Sequence, residues 1–450
     1  HWIAILSEGA ITVPWLKYPA WLAAAAYLAL FAGLTTLAAG WLSRPRTRGG
    51  ATRRLPLALT FPVAFLAVEW LRGSGELGFP WFQPGYSQHA YVPVLQLASL
   101  GGAGLVTLWV LGLNVLLWRS LTGTARRRAG AGALLLALLP WLWGRAVVAA
   151  APPPDAAAGA DRMVALVQGN IPGEMKWSGR HQQEILRTFL DESRAAAERE
   201  PRPVLVVWPE TATGSYLRRQ FGQCLQVRAL AVGTRVPVFS GFADYAWDSL
   251  GVQRSYNAAG LFGVDGTVGP VYAKRHLVPF GEYLPFQRLL PWLGRLDLGQ
   301  AEWTAGEGAV LFPSAAGPFT CLICFEAVFP DLARADVRAG ARWLVNVTND
   351  EWFGRSAALP QHAAMAVFRA VENRVPLARC ANTGITEVVD GYGRVVGRLP
   401  VFERGTLVRP LPPSPARGAP TPFTRFGDWP AAAGLVALGV LVAVALRGSR

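Results

Sequence analysis

The sequence predicts a membrane-embedded helical bundle that carries an α/β domain, and three observations predict it. Five apolar stretches reach, or nearly reach, the roughly 20 residues that a bilayer crossing needs, and they cluster at the two ends of the chain. Basic residues gather in alternate loops between those stretches. From about residue 160 to 410, short β-rich runs alternate with helical ones. The totals agree with this reading: 450 residues allow more than one domain, and 52% of them are hydrophobic.

The apolar stretches are Tyr18–Leu42, Leu55–Leu71, Pro93–Trp118, Ala129–Ala149 and Trp429–Leu446, the second and fifth being the shortest. Any one of them could be a buried core helix; five together favour spans. Arg44, Arg46, Arg48, Arg53 and Arg54 separate the first two, and Arg119, Arg126, Arg127 and Arg128 separate the third and fourth. Arg447 and Arg450 follow the fifth. The opposite loops hold only Lys17 and Arg72. The positive-inside rule places the arginine-rich loops in the cytoplasm and residues from about 150 to 428 outside. The net charge of +14 is therefore in part a topology signal, and nucleic-acid binding is not needed to explain it. Glu69, near the outer end of the second span, is either a functional acid or the ion-pair partner of Arg72 three residues on.

"APPPDAAAGAD" (151–161) reads as a linker, and "PLPPSPARGAPTP" (410–422) as a second. Between them, "MVALVQGN", "PVLVVWPE", "VPVFSGFAD", "FTCLICFEAVF" and "RWLVNVTND" read as nearly continuous apolar strands. "RHQQEILRTFLDESRAAAERE" and "PQHAAMAVFRAVENR" read as helices. Apolar strands alternating with helices indicate a sheet buried by helices.

Chemistry in such domains gathers at strand ends, and three strand ends carry candidates. Pro209 cannot donate to a central ladder, so the strand "VLVVW" stops there and Glu210 projects at its tip, as a helix cap or a general base. Lys274 follows the short run "VYA", with Glu282 eight residues on. The chain's 43 basic residues include only three lysines, Lys17, Lys176 and Lys274. A lysine kept in so arginine-rich a chain suggests a place where a planar, permanently charged fork would not serve.

Cys321 and Cys324 make the third candidate. On a strand, residues three apart face opposite sides about 10 Å apart, too far for a disulfide. Zinc would need further ligands at a recognisable spacing, and Cys224 and Cys380 stand alone. Cys324 sits where strand gives way to a helical pattern, beside backbone N–H groups that can receive an oxyanion; Cys321 reads as core packing. A Glu, a Lys and a Cys at strand ends form a coherent set of base, oxyanion partner and nucleophile. His276 and His362 raise a Cys–His dyad as the competing mechanism, or structural hydrogen bonding.

This Glu–Lys–Cys set resembles the carbon–nitrogen hydrolase (nitrilase) superfamily. "VQGNIPGEMKW", "WPE", "KRHLVPFGEYLPF", "ICFEAVFPD", "VNVTNDEWFG" and "PQHAAMAVFRAVENRVPLARCANTGITEVVDGYG", in this order, resemble its apolipoprotein N-acyltransferase family, as does "GFPWFQPGYSQ" among the spans. The resemblance implies a four-layer αββα sandwich outside the bacterial inner membrane, on the periplasmic side. It implies acyl transfer from a phospholipid to the N-terminal amine of diacylglyceryl-cysteine in an apolipoprotein, through a thioester on Cys324. Glu210 would be the base and Lys274 the oxyanion partner, with Glu282, Glu326 and Phe325 in support; many members have Tyr at the position of Phe325. Trp177, Tyr283, Trp352, Phe353 and His362 are the substrate-contact candidates, although the two aromatics of "NDEWFG" could equally be packing. No metal or cofactor is implied, no nucleic acid, and a monomer is expected. The expected map is spans over 1–150, catalytic domain 160–410, linker 411–428 and a last span 429–450. The family has further spans before residue 1, so the chain looks N-terminally shortened. The nearest rival is a membrane-tethered amidase or nitrilase that delivers the acyl group to water; a more distant one is an inactive lipoprotein-binding scaffold.

Overall fold

The computed structural model describes residues 15, 17–48, 51–154, 160–287, 289–290, 292, 301–414 and 420–447. Arg450 and parts of both expected linkers, 155–159 and 415–419, lie outside the described residues. The chain divides into two compact units, one formed by residues 15–151 with 421–447 and the other by 152–420.

The first unit is helical. It contains α1 (Lys17–Leu42), a short hairpin of β1 (Arg46–Arg48) and β2 (Ala51–Arg53), α2 (Leu57–Arg72), α3 (Val92–Leu95), α4 (Ala98–Thr122), α5 (Arg126–Ala149) and a C-terminal helix Trp429–Arg447. Four of these, α1, α4, α5 and the C-terminal helix, are long and apolar enough to cross a membrane. The second expected span is not among them. Pro56 precedes the first turn of α2, which keeps 16 residues, about 24 Å at 1.5 Å per residue against a hydrocarbon core of about 30 Å. The third is broken near its start: Gly101 and Gly102 leave helical geometry, Gly102 with φ +66. At the end of α2, Arg72 Nε donates to Glu69 Oε1 at 3.0 Å, which is the ion-pair reading of Glu69. Arg46 donates to the carbonyls of Trp41 and Leu42 at the end of α1, where orphan carbonyls favour a cation. Within the stretch expected as linker, Pro422–Phe426 forms a helical turn capped by Thr421, whose hydroxyl accepts from the Thr424 N–H.

The second unit holds two sheets. In chain order its elements are β3 (Met163–Gln168), α6 (Gly173–Trp177), α7 (Gln182–Ala197), β4 (Leu205–Val207), α8 (Phe221–Thr234), β5 (Val238–Trp247), β6 (Gln253–Phe262) and β7 (Val268–Ala273). There follow β8 (Phe319–Ile323), α9 (Pro330–Arg338), β9 (Trp343–Thr348), α10 (Ala358–Asn373), β10 (Leu377–Ala381), β11 (Glu387–Val389), β12 (Val395–Arg398) and β13 (Gly405–Pro410). One sheet runs β13-β3-β4-β5-β6-β7 and the other β12-β11-β10-β9-β8. Each has three parallel strands, β3-β4-β5 and β8-β9-β10, joined through helices, with antiparallel strands completing it.

Strand alternation builds the layers. Met163, Ala165 and Val167 of β3 pack with Ile185, Phe189 and Val227 of α7 and α8. Val164 and Leu166 point the other way, into a core shared with Phe319, Cys321, Trp343, Val345 and Ala378 of the second sheet. Helices α9 and α10 pack on β8 and β10, so the unit is a four-layer αββα sandwich. Strands buried on both faces explain why these runs read as continuously apolar rather than alternating.

Candidate active site

Glu210, Lys274 and Cys324 stand at the ends of β4, β7 and β8. Strand β4 ends at Val207, but the Trp208 N–H still donates to the Phe239 carbonyl and the Ala212 N–H to Gly241. This stitches the Glu210 turn against β5. Gly241 is required there, because a Cβ would stand 2.7 Å from both Glu210 Cα and the Pro209 oxygen. Lys274 continues the β7 ladder by donating to the Asn257 carbonyl at 2.8 Å. Cys324 opens a tight helical turn, Cys324–Val328, with φ +50, a left-handed conformation that costs about 1–3 kcal/mol for a residue with a Cβ and collects at functional sites.

Glu210 and Lys274 meet in a mostly buried polar cluster, within electrostatic reach of Cys324. The Lys274 ammonium, 1% exposed, lies 2.8 Å from Glu282 and 3.7 Å from Glu210. Asn257 Nδ2 ties the two acids together, donating to Glu210 Oε1 at 2.8 Å and to Glu282 Oε1 at 3.1 Å. The Asn349 N–H donates to Glu210 Oε2 at 2.9 Å, and the Val278 N–H to Glu282 Oε2 at 2.8 Å. Burial works against the Lys274 charge, but Glu282 and then Glu210 outweigh it and hold the ammonium well above the usual lysine range. Burial, then the Glu210 carboxylate, pushes the Cys324 thiol up, while the Lys274 ammonium pulls the other way. The resting Cys324 side chain is therefore a neutral thiol, which must lose a proton before it can attack.

Glu326, fully buried, joins the Lys274 and Cys324 segments. Its Oε1 accepts from Tyr272 OH at 2.7 Å, the Arg275 N–H at 2.7 Å and the His276 N–H at 3.1 Å; its Oε2 accepts from the Ile323 N–H at 2.7 Å. Burial raises its carboxyl above the ordinary value. Phe325 packs edge-on against Phe329 at 5.1 Å. His276 lies over Phe329 with ring centroids 3.6 Å apart; burial, then Lys274, lower it to about 4, which leaves it neutral.

The remaining candidates differ in burial. Trp177 and Trp352 are 50% and 58% exposed. Tyr283 is half-buried, its carbonyl accepting from the Phe280 N–H. Phe353 is half-buried with its ring 5.7 Å from that of His362. The remaining substrate-contact candidate is His362. It is fully buried, with Nδ1 2.9 Å from Asp350 Oδ1 and Nε2 3.1 Å from the carbonyl oxygen of Cys324. Its ring is placed against the backbone of Cys324. All four cysteines are free. Cys321 lies in the inter-sheet core, and the Cys380 thiol donates to the Val167 and Val207 carbonyls.

Several residues of this neighbourhood escaped the sequence reading. Asn257 lies mid-strand and carries no signal. Thr348, Asn349 and Asp350 are the polar tail of the apolar run "WLVNVTND", a signal that was present. Lys176, fully buried with Nζ donating to Asn349 Oδ1 at 3.0 Å, was marked only by the scarcity of lysines. Among the described residues no group of His, Cys, Asp and Glu is arranged to hold a metal ion.

Comparison with known proteins agrees with this architecture. Residues 146–420 match the carbon–nitrogen hydrolase family, and residues 1–116 match the apolipoprotein N-acyltransferase N-terminal domain. The apolipoprotein N-acyltransferase of Geobacter metallireducens is 34% identical, covering 99% of this chain and 84% of its own length. That of Bradyrhizobium diazoefficiens is 35% identical over 96% and 80%, and that of Methylococcus capsulatus 36% over 90% and 76%. Among solved structures, a nitrilase-superfamily amidase from Nesterenkonia AN1 is 21% identical with a TM-score of 0.44, covering 56% of this chain and 92% of its own. A nitrilase-superfamily member from Saccharomyces cerevisiae gives 21% and 0.43 over 56% and 90%. With relatives alike along nearly its whole length and both family profiles matched in order, the chain belongs to the apolipoprotein N-acyltransferase family of enzymes.

Proposed function

We propose that the protein transfers an acyl chain from a membrane phospholipid to the N-terminal amine of diacylglyceryl-cysteine in apolipoproteins, with Cys324 as the carrier. The observation that supports this most is the buried Lys274 ammonium, held between Glu210 and Glu282 beside a cysteine in a left-handed turn. In the first half-reaction Glu210 takes the Sγ proton as sulfur attacks the ester carbonyl carbon. The carbonyl π pair moves to oxygen, where the Lys274 ammonium and the Phe325 N–H stabilise it. Collapse breaks the ester C–O bond, the lysophospholipid oxygen takes the proton from Glu210, and a thioester remains. In the second half the amine attacks that thioester, Glu210 accepts the amine proton, and the C–S bond breaks. The thiolate then recovers the proton and an amide leaves.

The thioester preserves the activation of the ester, so the chain's own residues suffice for both halves. Membrane-long helices before and after the catalytic unit suit substrates that are both anchored in lipid. The arginines between α1 and α2 and between α4 and α5 favour a cytoplasmic side for those loops, hence a periplasmic catalytic unit at the inner membrane.

The test is to incubate purified protein with phospholipid and search by mass spectrometry for an acyl adduct on Cys324, then add a diacylated lipopeptide. The expected result is an adduct that disappears as acyl appears on the lipopeptide amine. Free fatty acid alone would favour hydrolysis, and no adduct would favour a scaffold. A fully active Cys324→Ala protein would refute the mechanism.

A further inference from the structure

Lys176 is a buried lysine that the mechanism above does not use. It lies in the short helix α6, with its N–H on the Pro172 carbonyl at 2.9 Å. Its side chain is 0% exposed. Among the described residues its ammonium makes one hydrogen bond, to Asn349 Oδ1 at 3.0 Å. Asn382 Nδ2 donates to the same oxygen at 2.9 Å. Asn349 in turn donates its backbone N–H to Glu210 Oε2 at 2.9 Å. A buried cation thus lies one residue removed from the carboxylate proposed as the base.

The surroundings hold Lys176 in that place. The turn after Glu210 presses on it: a Cβ on Gly214, whose φ is +60, would stand 2.4 Å from the Lys176 oxygen and 2.5 Å from its Cγ. The N–H of Gly173, at the start of α6, donates to Glu351 in the turn after β9. Two carboxylates bear on the ammonium, Glu351 first and Glu210 second; burial still lowers it to about 8, so it is charged at neutral pH. Glu210 itself meets Lys274 from the end of β7, Cys324 from the end of β8 and Lys176 from α6. A buried ammonium with a single neutral hydrogen-bond partner is unfavourable to folding. Methionine would fill the same space without that cost, and arginine is this chain's ordinary cation. Neither shape nor charge in general accounts for a lysine here, whereas a role at the base does.

The geometry points to Lys176 as a positioning residue for the base: anchored on Asn349, its ammonium keeps that residue's N–H on Glu210 and adds a positive charge to the carboxylate's surroundings. This rests on the reading of Glu210 as the general base. Removing the charge weakens proton acceptance at low pH, and freeing Asn349 loosens the carboxylate. Phospholipid binding is untouched, because Lys176 has no exposed surface to meet it.

The experiment measures single-turnover acylation of Cys324 from phospholipid by the full-length protein, across pH and phospholipid concentration. It compares wild type, Lys176→Met and Glu210→Gln. In Lys176→Met the limiting rate should fall at least about tenfold, with half-saturation by phospholipid within about twofold. The acid limb of the rate profile should move up by about one pH unit, as loss of a nearby unit charge dictates. Thermal unfolding should occur at or above the wild-type temperature, which a purely structural lysine would not allow. Lys176→Gln, also neutral, should show the same displaced limb and serves if the Met variant does not fold. An unchanged rate and profile in the folded variant, or weaker saturation at an unchanged limiting rate, would overturn the inference. If Glu210→Gln acylates at the wild-type rate, the base reading itself fails. If Glu210→Gln is inactive while Lys176→Met matches wild type, only the role of Lys176 fails.

Discussion

Asp350 offers the sharpest test of how the Cys324 backbone is supported. It is fully buried and accepts from Arg379 Nη2 at 2.6 Å and from Thr348 Oγ1 at 2.7 Å, with His362 Nδ1 at 2.9 Å. His362 reaches on to the Cys324 carbonyl. Burial works against the Asp350 charge, but Arg379 and then His362 outweigh it and hold the carboxyl well below the usual carboxylate range. Asp350→Asn leaves Arg379 buried without its counter-charge. Breaking a buried pair from one side costs about 3–5 kcal/mol. At roughly 2 °C per kcal/mol for a domain of this size, the unfolding temperature should fall by about 6–10 °C. Removing both charges in Asp350→Asn with Arg379→Met should recover more than half of that loss, since no unpaired charge remains. The assay is thermal unfolding of the four members of this cycle in one detergent at neutral pH. The sign with pH follows from the depressed folded value. The stabilisation is fully present above the unfolded carboxyl value of about 4 and is lost as pH falls through the lower folded value, so the gap to the variant should be constant from pH 5 to 8 and narrow in acid. A single variant within about 1 °C of wild type, or a double variant no better than the single, would refute the reasoning.

Three further expectations follow from the same contacts. Lys274→Arg should lose about 10²–10³ in acylation rate, because a planar fork cannot occupy the compact ammonium site between Glu210 and Glu282; rapid-mix mass spectrometry of the Cys324 adduct reads it, and an active variant contradicts the oxyanion role. Glu326→Gln replaces at least one acceptor facing a backbone N–H with a donor, and should cost about 2–4 kcal/mol of stability, seen by thermal unfolding; an unchanged midpoint contradicts the buttress. Gly241→Ala puts a methyl 2.7 Å from Glu210 Cα and should slow acylation at least about tenfold through displacement of the base while the fold survives; wild-type kinetics would show that the turn yields freely.

The sequence by itself determined the parts that depend on pattern along the chain. Continuous apolar runs specified strands buried on both faces, and a proline after Trp208 and a cysteine before a helical pattern marked where those strands stop. Strand period alone separated Cys321 from Cys324, and the structure sends Cys321 into the inter-sheet core. The apolar lengths located the membrane-long helices, failing only at α2, where Pro56 precedes the first turn and the helix keeps 16 residues. What only the tertiary structure decided is which polar groups meet. Glu210 and Asn349 are 139 residues apart in the chain, and Lys176 and Asn349 are 173 apart. No local pattern encodes such a pair, because each residue is read singly along the chain. Folding two sheets face to face brings those ends into one volume. Only there, with water removed, does a lysine singled out by its rarity become a buried cation bound to Asn349, and a histidine suggestive of a dyad become a support for the Cys324 backbone.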